Sequence, residues 1–257
     1  PTEIYTLSLH DALPIWELRG FLFLDRFREQ GYVLSMCGRF AQTDPIALAA
    51  EKFLVDDIIT DLPPSYNIAP GQRVAAVTRR DGRRVLLDFT WGLAPPWQKK
   101  AMKPLINARA ETAREKPSFR GAFRSRRCLI IASGFFEWKK AGEGKIPLYI
   151  ALTSRTSFAM AGLYESAPVP KGSPHGTCTI LITAAASALT SIHDRMPVIL
   201  TAPGEEQWLD PSADSESLAG LLVPYRSEEI AWHRVSPAVN SPRNNYPECI
   251  APVTQDA

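Results

Sequence analysis

The 22 prolines of this 257-residue chain limit its fold more than any other feature, because they interrupt it at many short intervals. Proline lacks a backbone N–H and breaks both helix interiors and central strands. A regular alternation of strands with crossover helices is therefore disfavoured. Between the prolines, apolar and β-branched runs bounded by turn residues predict short strands at 74–78, 85–91, 128–132, 148–152, 158–163 and 178–183.

Three other stretches predict helices. Asp44 and Pro45 open an apolar-periodic stretch that runs to Phe53, which places Asp44 at the N-cap and Pro45 at the first helical position. Residues 205–209 and 215–222 also have helical patterns. We therefore predict an α+β fold: a single domain with a curved, largely antiparallel, barrel-like β-rich core and flanking helices.

Residues 1–35 differ in character from the rest of the chain. Their first half, PTEIYTLSLHDALPI, has no clear period and resembles translated sequencing-adapter read-through. We expect residues 1–35 to be a non-native N-terminal extension, Met36 to be the initiator, and residues 36–257 to be the functional domain.

Charge and hydropathy restrict the partners only weakly. The formal net charge of +2 is too small to indicate a nucleic-acid partner by itself. Basic residues cluster within 79–84, 99–103 and 120–127, and such clusters are most often solvated faces. No apolar run approaches the roughly 18 residues that span a bilayer, so we expect no membrane association.

The four cysteines have wide and unrelated spacings with no C-x-x-C pair, which indicates neither a zinc site nor a disulfide framework. We expect no metal, no cofactor and a reducing, cytoplasmic compartment. Cys128 and Cys178 lie in apolar runs and are predicted to be buried strand residues.

Cys37 differs from the other cysteines because it follows Met36. Removal of an initiator methionine before a small residue would give Cys37 a free α-amine beside its thiol. The amine has a reference pKa of about 7.7–8.0 and the thiol one of about 8.5, so we expect a partly neutral amine and a thiol easily biased toward thiolate. Such a pair converts an aldehyde into an imine and then into a thiazolidine ring. The alternative is a small buried cysteine without chemistry.

Several other residues could carry chemistry, although no G-x-S-x-G, Walker, Rossmann or H-E-x-x-H motif is present. Glu137 lies between two aromatic residues and is either a general acid or base of raised pKa or an outward carboxylate on a strand. His193 is either a proton shuttle or a structural histidine. Asn107 and Arg109 could hydrogen-bond a sugar or a phosphate, although an asparagine in a loop is more often a turn residue. Trp97 could either stack on a base or pack in the core.

Four segments combine reactive or ionisable groups: MCGRF at 36–40, INARAE at 106–111, GFFEW at 134–138 and SIHDRMP at 191–197. In this order they resemble the SRAP family, the SOS-response-associated peptidase or abasic-site processing proteins. The supporting blocks are YNIAPGQ at 66–72, WGLAPPW at 91–97, TAAA at 183–186 and VSPAVN at 235–240. The resemblance spans Met36 to about Ile250. It implies a twisted β-rich domain with a positively charged groove for single-stranded DNA and a pocket around an N-terminal cysteine.

The resemblance also implies a reaction. Cys37 would capture the ring-opened aldehyde of an abasic site in a covalent thiazolidine crosslink that shields the lesion during the DNA damage response. Glu137 would move protons, Asn107 would hydrogen-bond the deoxyribose, and His193 would assist sugar ring opening or crosslink reversal. The family name implies a peptidase activity, which we expect to be self-removal of residues before the cysteine, alongside a lyase-type activity.

The DNA-binding residues implied by the resemblance are Arg39, Asn67, Pro70, Trp97, Arg109 and Trp138. The two arginines would hold flanking phosphates, and the two tryptophans would stack on bases. Some relatives place a second tryptophan after Trp97 where this chain has Gln98, which predicts weaker stacking there. We expect a monomer that associates with the nucleoid when bound to DNA.

Two rival functions remain open at this level. An N-terminal-nucleophile amidohydrolase or peptidase would use the same cysteine with its own amine as base. A non-catalytic single-stranded DNA-binding module would need only the arginines and Trp97, and Cys37 would be incidental.

Overall fold

The fold is organised around a closed ring of strands. A computed structural model describes residues 37–97, 103–166 and 172–253. These residues belong to one compact unit, 34–257. The strands are β1 Phe40–Gln42, β2 Asp57–Ile58, β3 Ser65–Ile68, β4 Arg73–Arg80, β5 Arg83–Trp91, β6 Asn107–Arg109, β7 Arg127–Ala132, β8 Gly134–Ala141, β9 Gly144–Leu152, β10 Phe158–Glu165, β11 Thr177–Ala184, β12 Arg195–Pro197, β13 Ile199–Leu200 and β14 Ile230–Arg234. The helices are α1 Ile46–Lys52, α2 Ala110–Ala113, α3 Arg120–Ser125, α4 Ala202–Leu209 and α5 Ser215–Gly220.

Five strands close the ring in the order β11, β10, β7, β4 and β5. Their contacts are antiparallel except at the closure, where β5 pairs in parallel with β11 through Trp91 and Cys178. Four smaller strands extend the ring: β2 pairs with β5, β13 pairs with β10, and β6 and β12 both pair with β11. The predicted curved, largely antiparallel, barrel-like core is confirmed.

A second, antiparallel sheet in the order β14, β9, β8, β1 and β3 packs against the ring. Its inward side chains, which include Phe40, Phe135 and Ile150, share one buried cluster with ring residues such as Val74 and Ile130. This sheet holds the segments around Cys37 and Glu137, so the ring core fixes the position of both.

Helices cover the outside of the ring, which explains the continuous apolar runs in the sequence. Alternate residues of β7 point to two different cores: Ile130 faces the shared cluster, while Leu129 and Ile131 face a second cluster that contains helix residues. Strands buried on both faces need apolar side chains at every position. All six predicted strands are confirmed, each within a longer observed strand.

The helix predictions are correct in place but not in every detail. Pro45, not Asp44, occupies the N-cap of α1, and no side chain caps it. The Asp44 carboxylate instead accepts hydrogen bonds from Lys52 Nζ at 2.7 Å and Ser157 Oγ at 2.6 Å, so a tertiary contact replaces the predicted local one. The helix predicted at 205–209 begins earlier, at Ala202, because the Thr201 hydroxyl accepts from the Gly204 N–H and caps it. The helix predicted at 215–222 ends at Gly220.

The basic clusters are less solvated than predicted at two positions. Arg84 is buried and donates to the Phe53 carbonyl at 2.6 Å, and Arg127 is buried and donates to the Trp208 carbonyl at 2.7 Å. Cys128 and Cys178 are buried strand residues, as predicted. The predicted extension at 1–35, Met36, Gln98, Lys99 and Lys100 lie outside the described residues.

Candidate active site

Cys37 lies just before β1 and is buried, with 2% of its surface exposed. Its backbone N–H donates to Oε1 of Glu137 at 2.8 Å, across 100 residues of sequence. Its φ of 50° is in the left-handed region, which is unfavourable for a residue with a side chain. A strained backbone conformation persists only where surrounding contacts hold the residue in place. For Cys37 that contact is the hydrogen bond to the ionisable Glu137 side chain.

Glu137 reaches Cys37 because β1 and β8 are neighbours. Their antiparallel register pairs Phe40 with Phe135 and Ala41 with Gly134. Extended by two residues, the same register places Gly38 opposite Glu137. Glu137 is 6% exposed, so the alternative of an outward carboxylate is wrong. Burial raises its pKa above the ordinary 4.5, although hydrogen bonds from Cys37 and Trp138 and the charge of His193 act in the opposite direction.

The surroundings of the Cys37 thiol differ from the sequence-based expectation. Burial, followed by the charge of Glu137 and a hydrogen bond to its carboxyl group, raises the pKa of the thiol well above its ordinary value. The thiol is therefore held neutral rather than biased toward thiolate. A thiolate can form only when a base takes its proton, and Glu137 is already in contact with it.

His193 follows the short 3₁₀ turn Ser187–Leu189 and is held there because its backbone N–H donates to the Leu189 carbonyl at 3.0 Å. Its Nδ1 lies 3.1 Å from the Arg195 N–H and 2.8 Å from Asp194 Oδ1. A neutral ring protonated at Nε2 accepts from Arg195, whereas a charged ring donates to Asp194. Both protonation states therefore have a hydrogen-bond partner, which suits a proton carrier.

Glu137 and His193 line one pocket of about 380 Å³. Its other lining residues are Gly38, Trp138, Lys139, Lys140, Lys145, Ser191 and Ile192. The three lysines come from the hairpin formed by β8 and β9, and the sequence-based list of basic clusters missed them. The signal that could have found them is their proximity in sequence to GFFEW.

Arg39 lies beside the pocket within a network of protein groups. Its Nη1 donates to Asn67 Oδ1 at 2.8 Å and to the Val239 carbonyl at 2.7 Å, and its guanidinium lies 5.8 Å from the centre of the Trp138 ring. Burial lowers the pKa of Arg39 to about 10. Trp138 Nε1 donates to Asn240 Oδ1 at 2.7 Å. The network supports Trp138, which lines the pocket.

Asn67 completes this network. It is 1% exposed, and its Nδ2 lies within hydrogen-bonding distance of the carbonyls of Val239, Ser241 and Asn244. The side chain is therefore turned toward the protein, and a DNA contact by it remains a prediction.

The remaining predicted site residues, the catalytic candidate Asn107 and three DNA-binding candidates, lie elsewhere. Asn107 is half-buried and Arg109 is exposed on β6, while Pro70 is half-buried in the loop before β4. Trp97 is 55% exposed, which disfavours core packing as its role. None of these four lines the pocket of Glu137 and His193.

Two findings bear on other classes of protein. No group of three or more His, Cys, Asp or Glu side chains within the described ranges is arranged to hold a metal ion. In the same part of the chain, no helix is both long and apolar enough to cross a lipid bilayer.

Comparison with known proteins places this site in a family. The model for SOS response associated peptidase (SRAP) matches residues 36–242. Abasic site processing protein YoqW of Bacillus subtilis (strain 168) is 44% identical over 221 residues, which cover 84% of this chain and 99% of the relative. Abasic site processing protein YedK of Escherichia coli (strain K12) is 37% identical over 232 residues, covering 85% of this chain and 100% of the relative.

A solved structure of a protein from Bacteroides thetaiotaomicron has a TM-score of 0.76 at 29% identity and covers 85% of this chain and 100% of its own. The fold, the four motif segments and the sequence matches therefore agree. The chain belongs to the SOS response associated peptidase (SRAP) family.

Proposed function

We propose that the protein processes abasic sites in single-stranded DNA by linking Cys37 covalently to the aldehyde of the ring-opened sugar. One observation carries the proposal: the Cys37 backbone N–H donates to Oε1 of the buried Glu137 at 2.8 Å, and burial, followed by the charge of the same carboxyl group, raises the pKa of the Cys37 thiol. A single carboxyl group can therefore serve both nucleophiles. The names of the relatives YoqW and YedK support an abasic site as the substrate.

The first step requires Cys37 to be the N-terminal residue, so that its nitrogen is an amine. Glu137 takes a proton from the α-ammonium group, and the neutral amine attacks the aldehyde carbon to form a carbinolamine. Glu137 then returns the proton to the hydroxyl group, which leaves as water, and an imine remains. A carboxyl group with a raised pKa suits both directions of transfer near neutral pH.

The second step closes the ring. Glu137 takes the proton of the neighbouring thiol, and the sulfur attacks the protonated imine carbon to form a thiazolidine. The sulfur–carbon bond replaces the carbon–nitrogen double bond, and the nitrogen becomes a secondary amine. Because the thiol is neutral until this transfer, it does not compete with the amine for the aldehyde in the first step.

The thiol also determines which product forms. An imine acidifies the neighbouring sugar C–H, and loss of that proton would expel the 3′ phosphate and cut the strand, which is the lyase-type outcome. Ring closure by sulfur removes the imine and prevents this cleavage. Rapid closure would shield the lesion during the DNA damage response.

Other residues are proposed to bind and position the DNA. His193 lines the pocket and would supply or remove the proton that opens the sugar ring or reverses the crosslink. Asn107 would hydrogen-bond the deoxyribose. Trp97, with its exposed ring, would stack on a base. Trp138 would stack from the pocket wall, and Arg109 would contact a phosphate.

The remaining proposals concern Arg39, Asn67 and Pro70, and the oligomeric state, localisation and peptidase activity of the protein. Arg39 and Asn67 hydrogen-bond to other protein groups. They would therefore hold the groove in the shape that binds DNA. We propose Pro70 as a further groove residue and the protein as a cytoplasmic monomer. The peptidase activity named in the family description would be removal of the residues before Cys37.

The test uses protein that begins at Met36, with the methionine removed, and a single-stranded oligonucleotide that carries one abasic site. We expect a shifted band that survives denaturation. The matched variant C37S keeps the amine but lacks sulfur, so it should give a band only after borohydride reduction, together with more strand cleavage.

Absence of a band from the wild type would contradict the proposal. A band that persists without reduction in C37S would show that another group closes the adduct. DNA binding by wild type without any adduct would favour the non-catalytic binding module, and amide hydrolysis without an adduct would favour the amidohydrolase.

A further inference from the structure

We infer that Lys139, Lys140 and Lys145 form a phosphate-binding subsite for the DNA strand that enters the pocket of Glu137 and His193. This inference rests on the proposed function and assigns to it one binding surface. The three lysines line the same pocket as Glu137 and His193, so an anion beside them lies beside the reacting residues.

The register of the β8–β9 hairpin brings two of these charges together. Lys140 pairs directly with Lys145, and Ala141 pairs with Gly144 at the turn. Directly opposed like charges destabilise an antiparallel pair, because such side chains have Cβ atoms only about 5 Å apart. The pair therefore weakens the free hairpin and is relieved when an anion lies between the two ammonium groups.

Lys139 provides the third charge from a different direction. It is two residues beyond Glu137 on β8, so its side chain leaves the same face of the sheet as the Glu137 carboxyl group. Lys140 and Lys145 lie nearer the hairpin tip, and both line the same pocket as Lys139. The cations thus extend from the reacting residues outward to the tip, which fits successive phosphates of one strand better than a single small anion.

These lysines are available for a ligand. Among the described residues, none of the three takes part in an ion pair with an acidic side chain, whereas Arg79, Arg83 and Arg84 all do. Lys140 and Lys145 are exposed and Lys139 is half-buried. The only acidic residue between them in sequence is Glu143 at the exposed tip.

The experiment measures reversible binding of undamaged single-stranded DNA as a function of salt, which does not depend on the crosslinking reaction. Each phosphate contact contributes a slope of about −0.7 to the plot of log affinity against log salt for single strands. The triple variant K139Q/K140Q/K145Q should reduce the slope by about 1.4, because Lys140 and Lys145 share one phosphate and Lys139 contacts another. Wild type should then lose about sevenfold more affinity than the variant when salt rises from 50 to 200 mM.

Two further variants make the result specific. K116Q/R120Q/R124Q removes the same charge from exposed residues that do not line the pocket and should leave the slope within about 0.5 of wild type. K139R/K140R/K145R keeps the charge and should keep the slope. The thermal midpoints of all three variants should match wild type, since the hairpin tip is exposed.

The outcomes separate this inference from the proposed function. An equal loss of slope in both glutamine variants, or no loss in the hairpin variant, would overturn the phosphate subsite. If the salt slope depends on the three hairpin lysines but the protein forms no adduct, the result would support the subsite and contradict the crosslinking proposal. With saturating abasic DNA, the hairpin variant should react at the wild-type rate, and a large decrease there would assign the lysines to chemistry instead.

Discussion

Glu137 is the residue on which the proposed chemistry depends, because it contacts both reactive groups of Cys37. A carboxyl group is an ordinary hydrogen-bond acceptor for a backbone N–H, but burial at 6% exposure makes its charge unfavourable and raises its pKa. A raised pKa brings the group nearer to neutral pH, where it can both accept and donate a proton. The contact in the structure is therefore suited to proton transfer as well as to positioning.

The first prediction concerns E137Q. The amide oxygen can still accept from the Cys37 nitrogen, but the side chain can no longer take up a proton. We expect the single-turnover crosslinking rate to fall by about 100-fold or more, with DNA affinity within about twofold of wild type. E143Q removes the same charge at the exposed hairpin tip and should react at the wild-type rate. Loss of DNA binding in E137Q would assign Glu137 a structural role instead.

The same residue predicts the pH dependence. Glu137 must be deprotonated to accept a proton, and its pKa is raised, so the rate should fall with decreasing pH over a range that begins above the ordinary carboxyl pKa of 4.5. E137Q should lack this acidic limb, and E143Q should retain it. An unchanged limb in E137Q would show that a different group titrates.

At the scale of elements, the pairing of β8 with β1 and β9 determines where Glu137 lies. Gly134 begins β8, and a side chain there would meet the Tyr149 ring at 2.3 Å and the Ile150 carbonyl oxygen at 2.7 Å. The strand can approach β9 this closely only because Gly134 lacks a side chain. The position of Glu137, three residues later, depends on that approach.

G134A should therefore affect both stability and reaction. We expect the free energy of unfolding to fall by about 1–3 kcal/mol, as in overpacked cores, and the crosslinking rate to fall as β8 shifts. Urea denaturation and single-turnover kinetics measure the two effects. G220A, in which the added methyl group meets nothing within 4 Å, should change neither by much. A stable G134A protein with the wild-type rate would show that β8 is not held by this contact.

The success of sequence-based prediction also varied by element. Strands buried on both faces, such as β7 and β10, were predicted because every position must be apolar. β14 was missed because it lies at a sheet edge and only Ile230 is buried, which removes the apolar run. The N-cap prediction for α1 was wrong because Asp44 accepts hydrogen bonds from Ser157, which is distant in sequence, and from Lys52 at the other end of the helix. The pocket lysines were missed because charged residues near a turn resemble any solvated hairpin.

At the scale of the whole molecule, the decisive question is what precedes Cys37. The motif segments identified Cys37 and Glu137 as separate candidates, but their contact joins residues 100 positions apart and could not be derived from spacing. The structure also shows that the Cys37 nitrogen, as a peptide N–H, already hydrogen-bonds to Glu137. A peptide nitrogen cannot form an imine, because its lone pair is delocalised into the carbonyl group.

The last prediction follows from this arrangement. Protein that begins at Pro1 should form no crosslink while residues 1–36 remain attached, whereas protein that begins at Met36 and has lost the methionine should react. The positive φ of Cys37 adds a driving force, because the strain, about 1–3 kcal/mol for such conformations, exists only while a residue is attached before Cys37. Cleavage before Cys37 would therefore release strain as well as expose the amine.

Mass spectrometry of the Pro1 protein over time, sampled together with its crosslinking, tests both parts. If the protein cleaves itself, the mass should fall by residues 1–36 and crosslinking should appear with the same time course. C37A should then block the mass change, because it removes the thiol that would attack the preceding peptide bond. Immediate crosslinking by uncleaved protein would contradict the requirement for an N-terminal cysteine, and with it the role assigned to the contact between Cys37 and Glu137.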